Sequence, residues 1–150
     1  MRCLVRRVSN AVVWAGNEEI GKIRKGLLVY LGVEGGDSSE DVCWLVKKLL
    51  GLRLFSDSAG KMNESLPDDG GILLISQFTL LGSLKKGYRP SFNRAAEPDE
   101  ARRLYEEFLE NLRLAFKGTV AQGAFGEHMQ IEAMDDGPVS IWLDSRQKAY

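Results

Sequence analysis

Ser76, Gln77 and Thr79 place three hydrogen-bonding side chains at the end of an otherwise apolar run, Gly71 to Leu80. Polar groups in such a position are costly unless they find partners. Those partners could be a bound ligand or the backbone of the following loop, and the segment taken alone fits both. His128 is the single histidine, so a serine- or cysteine-nucleophile machine would have to use it as its base. Its place between Glu127 and Met129, in an alternating stretch, reads instead as a rim or surface histidine. Cys3 and Cys43 lack CxxC spacing and, with one histidine, are a poor supply of ligands for a zinc site. No metal and no other cofactor is expected, and both thiols read as small buried apolar residues.

Charge is nearly balanced, at −1 overall, which argues against coating of nucleic acid by bulk electrostatics, and no DNA partner is expected. The distribution is uneven. Residues 81–94 carry Lys85, Lys86, Arg89 and Arg94 with no acid, whereas residues 97–110 carry six acids against Arg102 and Arg103. This asymmetry permits a local phosphate-binding patch, alongside the plainer reading of two solvated faces.

The elements that must position these residues follow from periodicity. With 150 residues, 44% apolar and 27% charged, the composition is that of an ordinary globular protein, and one domain spanning 1–150 is the default. Arg2 to Ser9, Ala11 to Trp14 and Ile20 to Ile23 alternate as short strands, and Leu27 to Val33 is a fuller apolar run suited to a central strand. Asp37-Ser38-Ser39-Glu40 offers an N-cap with an acid three positions on, opening a helix over about 38–50. Leu52 to Phe55 reads as a short strand and Gly71 to Leu80 as a buried one. A basic loop of about 17 residues, Leu81 to Glu97, is longer than compact domains usually tolerate without a function. Pro98 opens a second helix whose stripe Ala101, Leu104, Tyr105, Phe108, Leu112 and Phe116 runs toward Gly118. Two strands, 129–134 and 139–143, flank Asp135-Asp136-Gly137-Pro138, which reads as a β-turn. The sum is α+β, a mixed or antiparallel sheet core with two main helices. No run approaches the roughly 20 apolar residues of a membrane span, and Arg6 and Arg7 interrupt any signal-peptide core. A cytoplasmic protein is expected.

Several segments taken in order resemble one family: Arg7-Val8, Gly60-Lys61-Met62-Asn63, Ser76-Gln77-Phe78-Thr79-Leu80, Lys86-Gly87-Tyr88-Arg89-Pro90-Ser91-Phe92, Phe125-Gly126 with Met129, and Gly137-Pro138-Val139. They resemble the D-aminoacyl-tRNA deacylases of the D-tyrosyl-tRNA deacylase family over nearly the whole chain. The resemblance implies a barrel-like sheet and a homodimer. In that dimer the Ser76 to Leu80 strand end of one subunit meets a cis Gly137-Pro138 from the other. It implies an ester hydrolase acting on D-aminoacyl-tRNA, and on glycine mischarged on alanine tRNA, while sparing L-aminoacyl-tRNA. Ser76, Gln77, Phe78 and Thr79 are then the catalytic residues, with Phe78 and Thr79 offering main-chain donors. Gly137, Pro138, Arg7 and Met129 form the chiral-selection site, and Lys85, Lys86 and Arg89 contact tRNA phosphates. A base is dispensable because the vicinal ribose hydroxyl of the substrate assists proton transfer. Asp135 stands where the family usually has Asn, Ser140 where it has Thr, and Arg6 where Gln is common.

Two other readings compete. One is a noncatalytic RNA-binding domain using the 81–94 loop, and the other a serine-type esterase with Ser76 as nucleophile, which lacks a GxSxG elbow.

Overall fold

The computed structural model describes residues 1–149. Its backbone is organised by one long strand, β1 (Arg2–Ala15), whose alternation of buried residues changes phase part-way. Cys3 and Val5 join the core on one face of the sheet, whereas Val8, Ala11 and Val13 join a separate core on the other. A register shift between Val8 and Asn10 makes this possible, so the two strands expected from sequence are one strand with an irregularity. β1 pairs antiparallel with β2 (Glu18–Ile23) along its C-terminal half and with β3 (Gly26–Gly32) along its N-terminal half.

β3, β6 (Gly71–Ser76) and β7 (Thr119–Gln122) are parallel neighbours, and β3 and β6 are covered on both faces, as their unbroken apolar runs require. β8 (Met129–Asp144) pairs antiparallel with β1, giving the order β2-β1-β3-β6-β7 with β8 alongside β1. The far ends of this sheet curl toward each other. A Cβ on Gly21 in β2 would lie 2.6 Å from the Gln122 carbonyl oxygen in β7, so that approach needs glycine. The fold is α+β, with a mixed, nearly closed, barrel-like sheet.

Among the described residues two helices cover one face. α1 (Ser39–Gly51) buries Val42, Leu45, Val46 and Leu49, and α2 (Pro98–Ala115) buries Leu104, Tyr105, Phe108, Leu109 and Leu112. The cap of α1 is one residue later than the sequence suggests: the Ser38 N–H donates to Asp41 Oδ2 at 2.9 Å. Asp37 is thereby released for another task, an ion pair of 2.7 Å with the buried Met1 amine. Burial alone would raise the Asp41 carboxyl, but hydrogen bonds from Ser145 and Ser38 and the N-terminal charge hold it below the usual carboxylate range. A small hairpin, β4 (Phe55–Ser56) and β5 (Met62–Glu64), stands apart from the main sheet.

Three expectations are corrected. The apolar run after Gly71 leaves the strand at Ser76 rather than Leu80, and the chain coils into a 3-10 turn at Phe78–Leu81. The last two strands are one, β8. Cys3 is buried, its thiol pushed up to about 12 mainly by desolvation, but Cys43 is exposed because it lies off the apolar stripe of α1. No helix among the described residues is long and apolar enough to cross a membrane.

Candidate active site

The Ser76 to Leu80 segment turns because its ladder partner runs out. Leu31 pairs with Ser76 as the last match between β3 and β6, and the Gln77 N–H donates to Leu31 O at 2.7 Å. Beyond this point the backbone must satisfy itself, and it does so through the 3-10 turn Phe78–Leu81. Such a turn supplies no internal acceptor to its first N–H groups, so Phe78 and Thr79 carry neighbouring donors that the helix leaves open. The Gln77 side-chain amide donates to Thr79 Oγ1, fixing both side chains. From the other side, Arg2 Nη1 donates to Leu80 O at 3.0 Å while its Nε donates to Asp144 at 2.9 Å.

A cavity of about 820 Å³ opens beside this turn. Leu31, Val33, Ile75, Ala101, Tyr105 and Phe125 give it an apolar floor, and Gln77, Phe78, Phe92, Glu127, His128 and Met129 also line it. The rings of Phe78 and Phe92 meet edge to face with centroids 5.0 Å apart, joining the turn to the end of the basic loop. Tyr105 donates its hydroxyl to Leu74 O at 3.0 Å, and burial raises its phenol well above the ordinary value, so it stays a neutral donor. The Leu81 to Glu97 loop is less irregular than its length suggests. Ser83 and Ser91 bridge across its base, and Ala95 bridges to Glu34. Arg94 is held by Glu34 at 2.8 Å, so its charge is already partnered, whereas Lys85, Lys86 and Arg89 are exposed.

Asp135-Asp136-Gly137-Pro138 is a bulge within β8. Val8 pairs with Asp135 and Arg6 with Ser140, which leaves 136–139 opposite Arg7 alone. The Gly137-Pro138 peptide is cis. Gly137 has φ +152°, and a Cβ there would lie 2.6 Å from the Val139 nitrogen, so glycine is required. Arg7 Nε donates to the Asp136 carbonyl at 2.8 Å and lies 3.3 Å from its carboxylate, while Nη1 donates to Leu54 O. Arg6 grips Asp135 through two bonds of 3.0 and 2.9 Å. Arg6 and Asp135 are therefore each other's partners.

Of the residues singled out from sequence, Ser76, Gln77, Phe78 and Met129 line the cavity, and Thr79 is the next residue on the same turn. Arg7, Gly137 and Pro138 form a second cluster that does not line it. Phe92, Asn93, Ala96, Tyr105 and Phe125 are among the other lining residues, and none of them is a site residue by the sequence reading. Phe92 and Phe125 fall within the segments that carry the family resemblance, but Tyr105 is indistinguishable by sequence from the core stripe of α2. Among the described residues no three His, Cys, Asp or Glu side chains form a group able to hold a metal ion.

Residues 4–144 match the family model described as D-Tyr-tRNA(Tyr) deacylase. The chain belongs to the D-Tyr-tRNA(Tyr) deacylase family. Membership carries the class of enzyme: a deacylase is a carboxylic ester hydrolase. The D-aminoacyl-tRNA deacylase of Natranaerobius thermophilus is 48% identical over 149 residues, covering 99% of both chains. That of Bacteroides thetaiotaomicron is 46% identical, again over 99% of each. Among solved structures, the deacylase-family fold seen here is similar to a c-Myc DNA Unwinding Element Binding Protein, with TM-score 0.91 and 37% identity over 96% of this chain and 98% of that one. A probable eukaryotic D-amino acid tRNA deacylase shares the fold at TM-score 0.84 and 17% identity, covering 95% and 97%.

Proposed function

We propose that this chain hydrolyses the ester of D-aminoacyl-tRNA, and of glycine mischarged on alanine tRNA, and spares L-aminoacyl-tRNA. The observation that carries the reading is the turn at Phe78–Leu81, whose two open N–H donors stand beside a largely apolar cavity and whose Thr79 hydroxyl is engaged by Gln77. Donors of this kind stabilise the oxyanion that forms when water attacks an ester carbonyl. The leaving ribose carries a vicinal hydroxyl, so the substrate supplies the proton relay and the protein supplies position. Thr79 accepts from Gln77, which suits a residue that shapes the turn more than a nucleophile. Ser76 and Gln77 hold the strand end, and Met129 forms part of the wall.

Selection against L substrates is assigned to Gly137 and Pro138, with Arg7 as their clamp. These residues do not line the cavity of their own chain, which supports a site completed by a second copy, in a homodimer whose bulges enter each other's cavities. A rigid wall where an L side chain would project rejects it by clash, and glycine offers nothing to reject. Lys85, Lys86 and Arg89 contact tRNA phosphates from the exposed loop. The setting is cytoplasmic translation quality control, carried out by a single domain over 1–150.

The test is ester loss from matched D-tyrosyl-tRNA and L-tyrosyl-tRNA over spontaneous background. Rapid loss of the D ester alone supports the reading. Background rates for both, with salt-sensitive tRNA binding, would favour the noncatalytic RNA-binding domain instead.

A further inference from the structure

We propose that the Arg6–Asp135 ion pair is a positioning element that closes the Gly137-Pro138 bulge and thereby sets how strongly L esters are refused, an inference that rests on the selecting role given to this bulge above. A bulge of four residues opposite one has no continuous ladder to hold it, and among the described residues β8 pairs with β1 alone. Its shape must then be fixed by side chains from β1. Arg6 is placed to do this in a particular way. Its backbone is in register with Ser140, just after the bulge, while its guanidinium reaches Asp135, just before it. One residue therefore ties together both ends of the excursion.

The contact has the geometry of a clamp. Nε to Oδ1 at 3.0 Å and Nη2 to Oδ2 at 2.9 Å make a planar fork that fixes orientation as well as distance, which lysine cannot reproduce. Arg7, the next residue, projects to the opposite face of β1 and grips Asp136 there. Consecutive arginines thus hold consecutive aspartates from the two faces, and Gly137 follows immediately. The guanidinium and carboxylate are engaged with each other at the base of the bulge, one on either side of residues 136–139, so the pair acts by holding the bulge. Both are partly exposed, at 26% and 39%, so removing the pair leaves no buried charge behind.

The test uses Arg6→Gln, Asp135→Asn, Arg6→Lys and the reversed pair Arg6→Asp with Asp135→Arg in the full-length protein. Each is read by kcat/KM for D- and L-tyrosyl-tRNA, by melting temperature, and by amide exchange at Gly137 and Val139. Partly exposed pairs contribute modestly, so each single variant is expected to lower the D-over-L ratio by about two- to fivefold, with melting unchanged. The loss arises from faster L hydrolysis, exchange in the bulge quickens, and the reversed pair recovers both readouts. An unchanged ratio in all three single variants, beside a wild type that does discriminate, overturns the proposal. Unaltered exchange overturns the clamp whatever the enzymology. A wild type that hydrolyses D and L esters equally overturns the selecting role of the bulge itself, a separate failure that the exchange data would not share.

Discussion

Arg7 donates from Nε to the main-chain carbonyl of Asp136 at 2.8 Å, at the single β1 position that faces four residues of β8. This contact fixes the peptide that leads into Gly137, and Gly137 in turn adopts φ +152° with no room for a Cβ. Gly137→Ala is therefore expected to displace the bulge, at a local cost of about 1–3 kcal/mol. Its D-ester kcat/KM should fall by about tenfold or more through misplacement, and the melting temperature should drop by about 2–4 °C for each kcal/mol of that strain. Steady-state kinetics beside a thermal melt check this.

If each site combines two subunits, lesions in the two clusters should complement. Phe78→Ala removes the cavity-side ring and Gly137→Ala displaces the bulge, and each homodimer is expected to be impaired. After subunit exchange in an equal mixture, half the dimers are mixed, and each has one site free of both lesions. The mixture should regain about a quarter of wild-type specific activity. Activity equal to the average of the two parents would place both clusters in one subunit's site.

Thr79→Val keeps the backbone N–H and removes the hydroxyl that accepts from Gln77. Loss of one such bond is expected to cost about tenfold at most, whereas a nucleophile would be indispensable. His128→Ala should leave the rate within about threefold, since removal of a true general base costs about 10²–10⁴-fold. Single-turnover kinetics on D-tyrosyl-tRNA separate these cases.

Lys85, Lys86 and Arg89 are exposed on the loop, and Arg94 is not equivalent to them because Glu34 engages it. Alanine at each of the first three is expected to weaken tRNA binding and to reduce the slope of log affinity against log salt by about one. The effect should be the same for D- and L-charged tRNA, with kcat at saturation unchanged. Titrations at several salt concentrations provide the check.

Much of this architecture is legible in the sequence because it is local. The stripe of α2 and the apolar runs of β3 and β6 state their own burial, whereas residue type alone misleads for Cys43, whose place off the stripe of α1 leaves it exposed. What escapes is set by partners distant in the chain. Phe78-Thr79-Leu80-Leu81 has strand-like composition, yet it coils because β3 ends and offers no further pairing. Asp135 to Pro138 has every local mark of a turn, yet β1 is long enough to pair on both sides of it and turns it into a bulge. The Arg6–Asp135 contact depends on that register and has no sequence signal of its own. Tyr105 reads as core, and only the packing of α2 over β6 brings it to the cavity.

The most direct measurement places D- and L-tyrosyl-tRNA, carrying distinguishable labels, in one tube with the purified protein and follows both esters against an enzyme-free control. Fast, enzyme-dependent loss of the D ester is expected while the L ester decays at its spontaneous rate. Equal acceleration of both would contradict selection by the Gly137-Pro138 bulge, and acceleration of neither would contradict catalysis at the Phe78–Leu81 turn.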